Sequence, residues 1–356
     1  MEGVGAIRHA PPSPLIASKA SIRRMFELEQ PGHAGPSLTL RPLEELGVEG
    51  VGWSGSRWTV ALHGVFHAIF LRTSLWTAAG LMSLVAFVQH MLGLPDRWHP
   101  PALVFFSALL IYNLDHLLDA RREGAGEVGA PTPQGEARRR ELAWHRGSFA
   151  QALVLVSGAV AAVLAAMAPA SAQVVFVGYG SVGVLYSIPL VPMRTRGRWG
   201  LVAVKEVPGF KGFVVTLALV AGVLVLPVVW AGAAFDIRFM LLGAFLFCFI
   251  FSNAQMFDVR DVLEDTSRGV PTLPCTVGVR RTRHGLLLLN LLVLAGLAWS
   301  WSGGTVAPHP EVVVSMAATI AYLLIFDVDL HRDLYAVGID GCLFVPAIVM
   351  LCHVGP

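Results

Sequence analysis

Apolar residues in this chain do not alternate with polar ones at the period of a half-buried strand. They come in long runs, at 68–93, 101–119, 149–168, 172–192, 209–233, 238–257, 285–303, 311–326 and 336–353. A helix needs about 20 mostly apolar residues to cross the hydrocarbon core, and all the runs but the eighth approach that length. A helix also satisfies its own backbone polar groups in lipid. The pattern therefore predicts an all-α, polytopic membrane bundle of nine transmembrane helices, with no strand required. The first 50 residues differ. They are rich in Pro, Gly and Ser, carry no spanning run, and lack a signal-peptide pattern at Met1. They read as a flexible N-terminal tail, with 51–356 as the membrane domain. Residues 57–71 (RWTVALHGVFHAIFL) have the pattern of an amphipathic helix on the membrane surface.

Composition agrees with this class. The 356-residue chain is 55% hydrophobic and 14% charged, against roughly 25% charged in a soluble domain. A net charge of +2 gives no reason to expect nucleic acid. The placement of charge says more than its sum. Arg121, Arg122, Arg138, Arg139, Arg140 and Arg146 follow the second run. Arg194, Arg196, Arg198, Lys205 and Lys211 follow the fourth, and Arg260, Arg268, Arg280, Arg281 and Arg283 follow the sixth. The alternate loops hold only Arg97, with Arg238 at a helix edge. The basic loops thus fall on one side, which the positive-inside rule makes cytoplasmic. Cys248, Cys275, Cys342 and Cys352 have no metal-ligand spacing and imply no disulfide framework.

Carboxylates near membrane helices are costly, so each cluster is a functional candidate. Asp115 and Asp119 end the second run (IYNLDHLLD), four residues apart on one helix face. Their side-chain origins would lie roughly 5–6 Å apart. Tyr112 and Arg122 share that stripe. Asp258, Asp261 and Asp265 end the sixth run (DVRDVLED), spaced three and four apart, with Gln255 on the same stripe and Glu264 off it. Runs two and six point the same way by parity, so both clusters reach the basic face. Paired carboxylates invite a hard divalent cation that prefers oxygen ligands. Carboxylates beside Arg and Lys suit an anionic ligand bridged by magnesium, such as a diphosphate. The inert alternative is interfacial aspartates paired with neighbouring arginines.

These motifs resemble those of the UbiA-type superfamily of intramembrane prenyltransferases. DVRDVLEDTSRGVPTLPCTVG at 258–278 is similar to the family's second aspartate stretch with its following Gly and Thr-Leu-Pro. LYSIPLVPMR at 185–194 and VPGFKGFVV at 207–215 resemble its Tyr-Ser-x-Pro segment and its lysine-bearing entry to helix 5. The likeness runs from about residue 65 to the C-terminus. It departs at the first motif, where Ile111 stands for the family's Asn, Tyr112 for its first Asp, and Asn113 is displaced by two. On a helix, Asn113 then points about 160° away from Asp115. The resemblance implies nine helices, with Mg2+ held by Asp115, Asp119, Asp258, Asp261 and Asp265. It also implies an isoprenyl diphosphate bound with help from Lys211, Arg194, Lys205, Arg72, Tyr112, Tyr186, Asn113 and Gln255. The implied activity is prenyl transfer to an acceptor that the sequence does not name. A terpene cyclase that ionises the same substrate without an acceptor is an alternative, and so is an anionic-lipid transporter or binding protein. Tyr112, Tyr186, Phe210, Phe251 and Phe257 are candidates to face a carbocation. Membrane lipids are the remaining partners.

Weaker features are the pair His63 and His67, the acidic group Asp327, Asp329 and Asp333 with His331 and Arg332, and Asp340 just inside the ninth run. The pair reads as part of the surface helix, and the group as a solvated loop. Asp340 is expected either to pair with a basic residue or to join the polar pocket.

Overall fold

The computed structural model describes residues 66–123, 143–195 without 187, 198–268 without 205, 206 and 208, 270–326 without 305, 328, and 332–354. The expected N-terminal tail, residues 57–65 of the surface segment, His63, Lys205, Asp327, Asp329 and His331 lie outside the described residues. The same holds for the side chains of His67, Arg122, Arg194, Arg332 and Asp333.

The helices follow the apolar runs. They are α1 (Leu75–Met91), α2 (His99–Glu123), α3 (Ser148–Ala166), α4 (Ala170–Leu185), α5 (Lys211–Ala231) and α6 (Ile237–Arg260). Short α7 (Val262–Arg268) and α8 (Leu273–Val277) lead to α9 (Val279–Ser302) and α10 (Pro310–Ile325). Finally α11 (Arg332–Gly341) passes through a single 3-10 turn into α12 (Val345–Val354). Among the described residues, six helical stretches are long and apolar enough to cross a membrane, and α1, α4 and α10 are shorter apolar helices. The chain is an integral, multi-pass membrane protein. Its outward side chains fit that solvent: Leu155, Val174, Leu292, Trp299 and Leu351 are exposed and apolar.

Lipid provides no hydrophobic force between helices, so close packing and polar contacts hold the bundle. α2 packs along α1 and α3, α5 along α6, and α9 along α6 and α10. α1 also meets α11 and α12, which closes the bundle. Asn290 Nδ2 donates to Ser252 Oγ at 2.7 Å, tying α9 to α6. The Thr77 hydroxyl donates to Asp340 and ties α1 to α11. That hydroxyl is the hydrogen-bond partner of Asp340. All four cysteines are free thiols.

Two expectations are corrected. First, the run at 68–93 is not one helix. A π-helical turn at His67–Leu71 precedes α1, and Ser74 between them has φ 57°. A non-glycine residue in this region costs roughly 1–3 kcal/mol unless its surroundings hold it there. Ser74 N donates to Leu71 O at 3.2 Å within the turn, and Asn113 braces it from α2, its Nδ2 donating to Thr73 O at 2.8 Å and to Leu109 O at 2.8 Å. Second, a strand pair does form. β1 (Pro189–Thr195) and β2 (Arg198–Ala203) are antiparallel, with Val191 opposite Val202 and Arg194 opposite Trp199. Pro189 and Pro192 lack the N–H a helix needs, so α4 stops at Leu185. The segment beyond it satisfies its backbone as a hairpin.

Candidate functional site

The second acidic cluster is assembled by helix ends. α6 runs three residues past its expected end, so Asp258 is in its last turn and 3% exposed. The helix breaks at Asp261 (φ −91°, ψ 6°) and restarts as α7, with Asp265 N donating to Asp261 O at 2.8 Å across the break. The start of α5 faces it. Gly209 N donates to Pro271 O at 3.0 Å, strapping the entry of α5 to the segment after α7. Lys211 Nζ then lies 2.7 Å from Asp258 Oδ1 and 4.0 Å from Asp265 Oδ2. Gln255 Nε2 approaches Asp258 Oδ2 at 3.5 Å. Gly212 makes this approach possible, because a Cβ there would sit 1.8 Å from Gln255 Nε2.

Neutralisation within the cluster is uneven. Arg260 donates to both carboxylate oxygens of Asp261, at 2.9 and 2.7 Å, and lies over the Phe257 ring at 4.8 Å. Asp265 is buried and its Oδ2 accepts no hydrogen bond. Burial, with Asp258 and Asp261 adding to it, pushes its carboxyl up to about 6 against the opposing pull of Lys211 and Thr272. Among the described residues, no three His, Cys, Asp or Glu side chains converge as a complete metal cage. Such a donor set suits a cation that takes one or two carboxylates and completes its shell with water and substrate oxygens, as magnesium does.

Asp115 of the first acidic pair lines an apolar pocket. Asp115, Tyr112 and Ile111 of α2 line it, with Tyr179 and Gly183 of α4, Tyr186 at the C-cap of α4, and Val215 and Gly222 of α5. α4 comes this close because residue 183 is glycine; a Cβ there would sit 2.6 Å from Ile111 Cδ1. Tyr186, just past α4, lies in the field of Asp115, Asp258 and Asp119 at once. Burial, and then these carboxylates and Tyr112, push its hydroxyl well above the ordinary tyrosine range. The rim of the pocket therefore draws on both acidic motifs.

Other sequence candidates fall elsewhere. Asn113 is 1% exposed and its amide serves backbone carbonyls, so it does not line the pocket beside Asp115. Arg72 is half-buried in the turn before α1, and Asp119 is half-buried one turn beyond Asp115. Phe210 is exposed; Phe251 stacks on Phe247 at 5.7 Å and packs, with Phe257, on a core around Met256 and Tyr322. Sequence reasoning passed over Tyr179 and Ser107, whose side chains meet at 3.3 Å deep in the pocket. Their signal was present: both are polar groups in the middle of apolar runs.

The UbiA prenyltransferase family model matches residues 130–336, more than half of the chain and beginning after α2. A UbiA homolog from Archaeoglobus fulgidus solved with DMAPP and Mg2+ aligns with TM-score 0.51 at 16% identity, covering 79% of this chain and 98% of that one. The same protein with GPP and Mg2+ gives 0.52 at 16%, covering 79% and 99%. At this identity the likeness is one of fold. No curated protein matches the sequence. With the family model spanning α3 to α11, the chain belongs to the UbiA prenyltransferase family.

Proposed function

We propose that this protein is a magnesium-dependent intramembrane prenyltransferase, moving an isoprenyl group from an isoprenyl diphosphate to an acceptor. The observation that carries the reading is that α5 begins in the Lys211–Asp258–Asp265 cluster and, from Val214 on, lines an apolar pocket that also takes Asp115 of α2. A ligand with a highly charged head and a greasy tail matches both halves. The Archaeoglobus homolog solved with DMAPP or GPP and Mg2+ supports it. All nine apolar helices cross the membrane in this reading, residues 1–50 stand outside them as a tail, and the acidic motifs face the cytoplasm with the basic loops.

Asp115, Asp119, Asp258, Asp261 and Asp265 are the carboxylates available to Mg2+. When bound with the diphosphate, Mg2+ neutralises the charge that grows on the leaving group. Lys211 adds fixed positive charge toward the phosphate oxygens, and Arg72, Arg194 and Lys205 are the further basic residues the reading assigns to the diphosphate. Stabilisation of that developing charge is usually the largest catalytic contribution. The bond between C1 and the bridging oxygen breaks, and its electron pair leaves with the diphosphate. The ring faces of Tyr112 and Tyr186 stand beside the resulting allylic cation. An acceptor nucleophile bonds to C1 and gives its proton to water or a nearby base. Gln255 keeps Asp258 in place, and Asn113 acts one step away by fixing the turn at Thr73. Low water access in the pocket protects the cation until it is captured.

The test is diphosphate release from geranyl diphosphate by purified protein in detergent, with and without Mg2+ and with the Asp258→Asn variant. Magnesium-dependent release that the variant loses supports the reading. A hydrocarbon product without acceptor would move it to a cyclase. Absence of magnesium-dependent binding and release with every prenyl diphosphate tried sinks it, and transport of the intact diphosphate would replace it.

A further inference from the structure

The pocket has a floor. Tyr179 is 8% exposed, its hydroxyl meets Ser107 Oγ at 3.3 Å, and Ser107 is itself anchored on Leu103 O. The Tyr179 ring lies across the pocket from α4 toward α5, where a Cβ on Gly222 would touch it at 3.6 Å. Phe176 backs the ring edge-on at 5.6 Å. Gly222 sits in a π-helical turn, Ala221–Val225, inside α5. Such turns often mark functional sites because they bulge the helix locally. One aromatic ring is therefore held from three helices near the inner end of the pocket, with Val104 of α2 one turn further in.

The depth of that floor sets a length. Ser107 lies eight residues before Asp115 on α2, about 12 Å along the axis. Tyr179 lies seven residues before Tyr186 on α4, about 10 Å by the same rise. An extended chain advances roughly 1.2 Å per bond, so an isoprenyl unit with four chain bonds spans roughly 5 Å. Two units fill the distance from the carboxylates to the ring. A third unit meets the ring or must turn sideways toward lipid.

We propose that Tyr179, braced by Ser107 and Gly222, limits the isoprenyl chain to about the geranyl length. This rests on the prenyl-diphosphate reading above and narrows its substrate class to short chains. The hydroxyl acts only as a brace, and the ring is the barrier. A floor of this kind selects by exclusion, so removing it widens the range of accepted chains.

The experiment measures binding of dimethylallyl, geranyl, farnesyl and geranylgeranyl thiolodiphosphates, which resist ionisation, to full-length protein in detergent with and without Mg2+. Wild-type protein is expected to bind the geranyl compound at least about tenfold tighter than the geranylgeranyl one, the scale of discrimination a shaped apolar pocket provides. Tyr179→Ala, and Tyr179→Leu as the variant safer for folding, should narrow that ratio to within about threefold. Tyr179→Phe keeps the ring and should keep most of the ratio. An unchanged length profile in both Tyr179→Ala and Tyr179→Leu, with magnesium-dependent geranyl binding intact, overturns the floor and leaves the enzyme reading standing. Wild-type protein that binds no thiolodiphosphate in a magnesium-dependent way overturns both.

Discussion

Replacing Lys211 by Met removes an ammonium that lies 2.7 Å from Asp258 while keeping most of the stem. At that separation and an effective dielectric near 20, the gross attraction is roughly 6 kcal/mol. Desolvation offsets much of it. The Asp258 side chain is 4% exposed and that of Lys211 29%, so the carboxylate has lost nearly all its water and the ammonium only part. A net coupling of about 2–3 kcal/mol is expected, within the range of close buried pairs. Lys211→Met leaves Asp258 with only the long Gln255 contact and should destabilise the protein by about 3 kcal/mol. Asp258→Asn, which removes the buried charge itself, should cost less, about 2 kcal/mol. The double variant should cost about 2–3 kcal/mol, well short of the sum. Unfolding by SDS in mixed micelles containing EDTA, followed by tryptophan fluorescence, measures all four proteins on one scale without a competing cation. Single costs that add to within about 0.5 kcal/mol would refute the claim that the two charges stabilise each other.

Three further outcomes are expected. Gly212→Ala drives a methyl into Gln255 Nε2; it should cost about 1–3 kcal/mol in the same assay and weaken magnesium-dependent ligand binding more than Gly183→Ala does. Asn113→Ala leaves the Thr73 carbonyl without its donor; it should lower stability by about 1–3 kcal/mol yet leave magnesium affinity within about threefold of wild type, and a larger loss of affinity would return Asn113 to the ligand set. Asp265 in the folded protein titrates near 6, above its unfolded value near 4, so between those values the folded state holds more protons than the unfolded one. Cation-free protein should therefore gain about 1 kcal/mol as pH falls from 7 to 5, while magnesium affinity falls over the same window; Asp265→Asn should flatten both curves, and curves unmoved by it would remove Asp265 from the site.

Much of this molecule is legible without coordinates. The apolar runs locate the helices, and the spacing of Asp258, Asp261 and Asp265 marks the end of α6. What periodicity could not supply were long-range contacts. The break at Ser74 depends on Asn113, some forty residues away, donating to Thr73 O. The hairpin after α4 is hidden because an apolar stretch with prolines looks like more membrane until the chain leaves the helix. The uneven neutralisation of the aspartates is equally invisible, since Arg260 pairs with its immediate neighbour Asp261 while Asp258 takes its cation from Lys211, far back along the chain at the start of α5. Tyr179 shows the converse. A single polar residue in an apolar run carries little weight alone, and gains meaning only when Ser107 and Gly222 are found against it.

Three of the apolar helices are short. α4 and α10 have 16 residues and α1 has 17, which at the rise of an α-helix gives about 24–26 Å. The hydrocarbon layer of an ordinary bilayer is about 30 Å thick. In the nine-helix reading proposed above, the lipid beside α4 compresses by several ångströms, or the polar flanks of the helix sink into it. α4 is also the wall that carries Tyr179, Gly183 and Tyr186. In that reading the α4 wall of the pocket borders an annulus of thinned membrane, where head groups dip toward the protein. The acyl-chain length of the host bilayer becomes a term in how deeply a lipid-borne substrate must travel to reach the carboxylates.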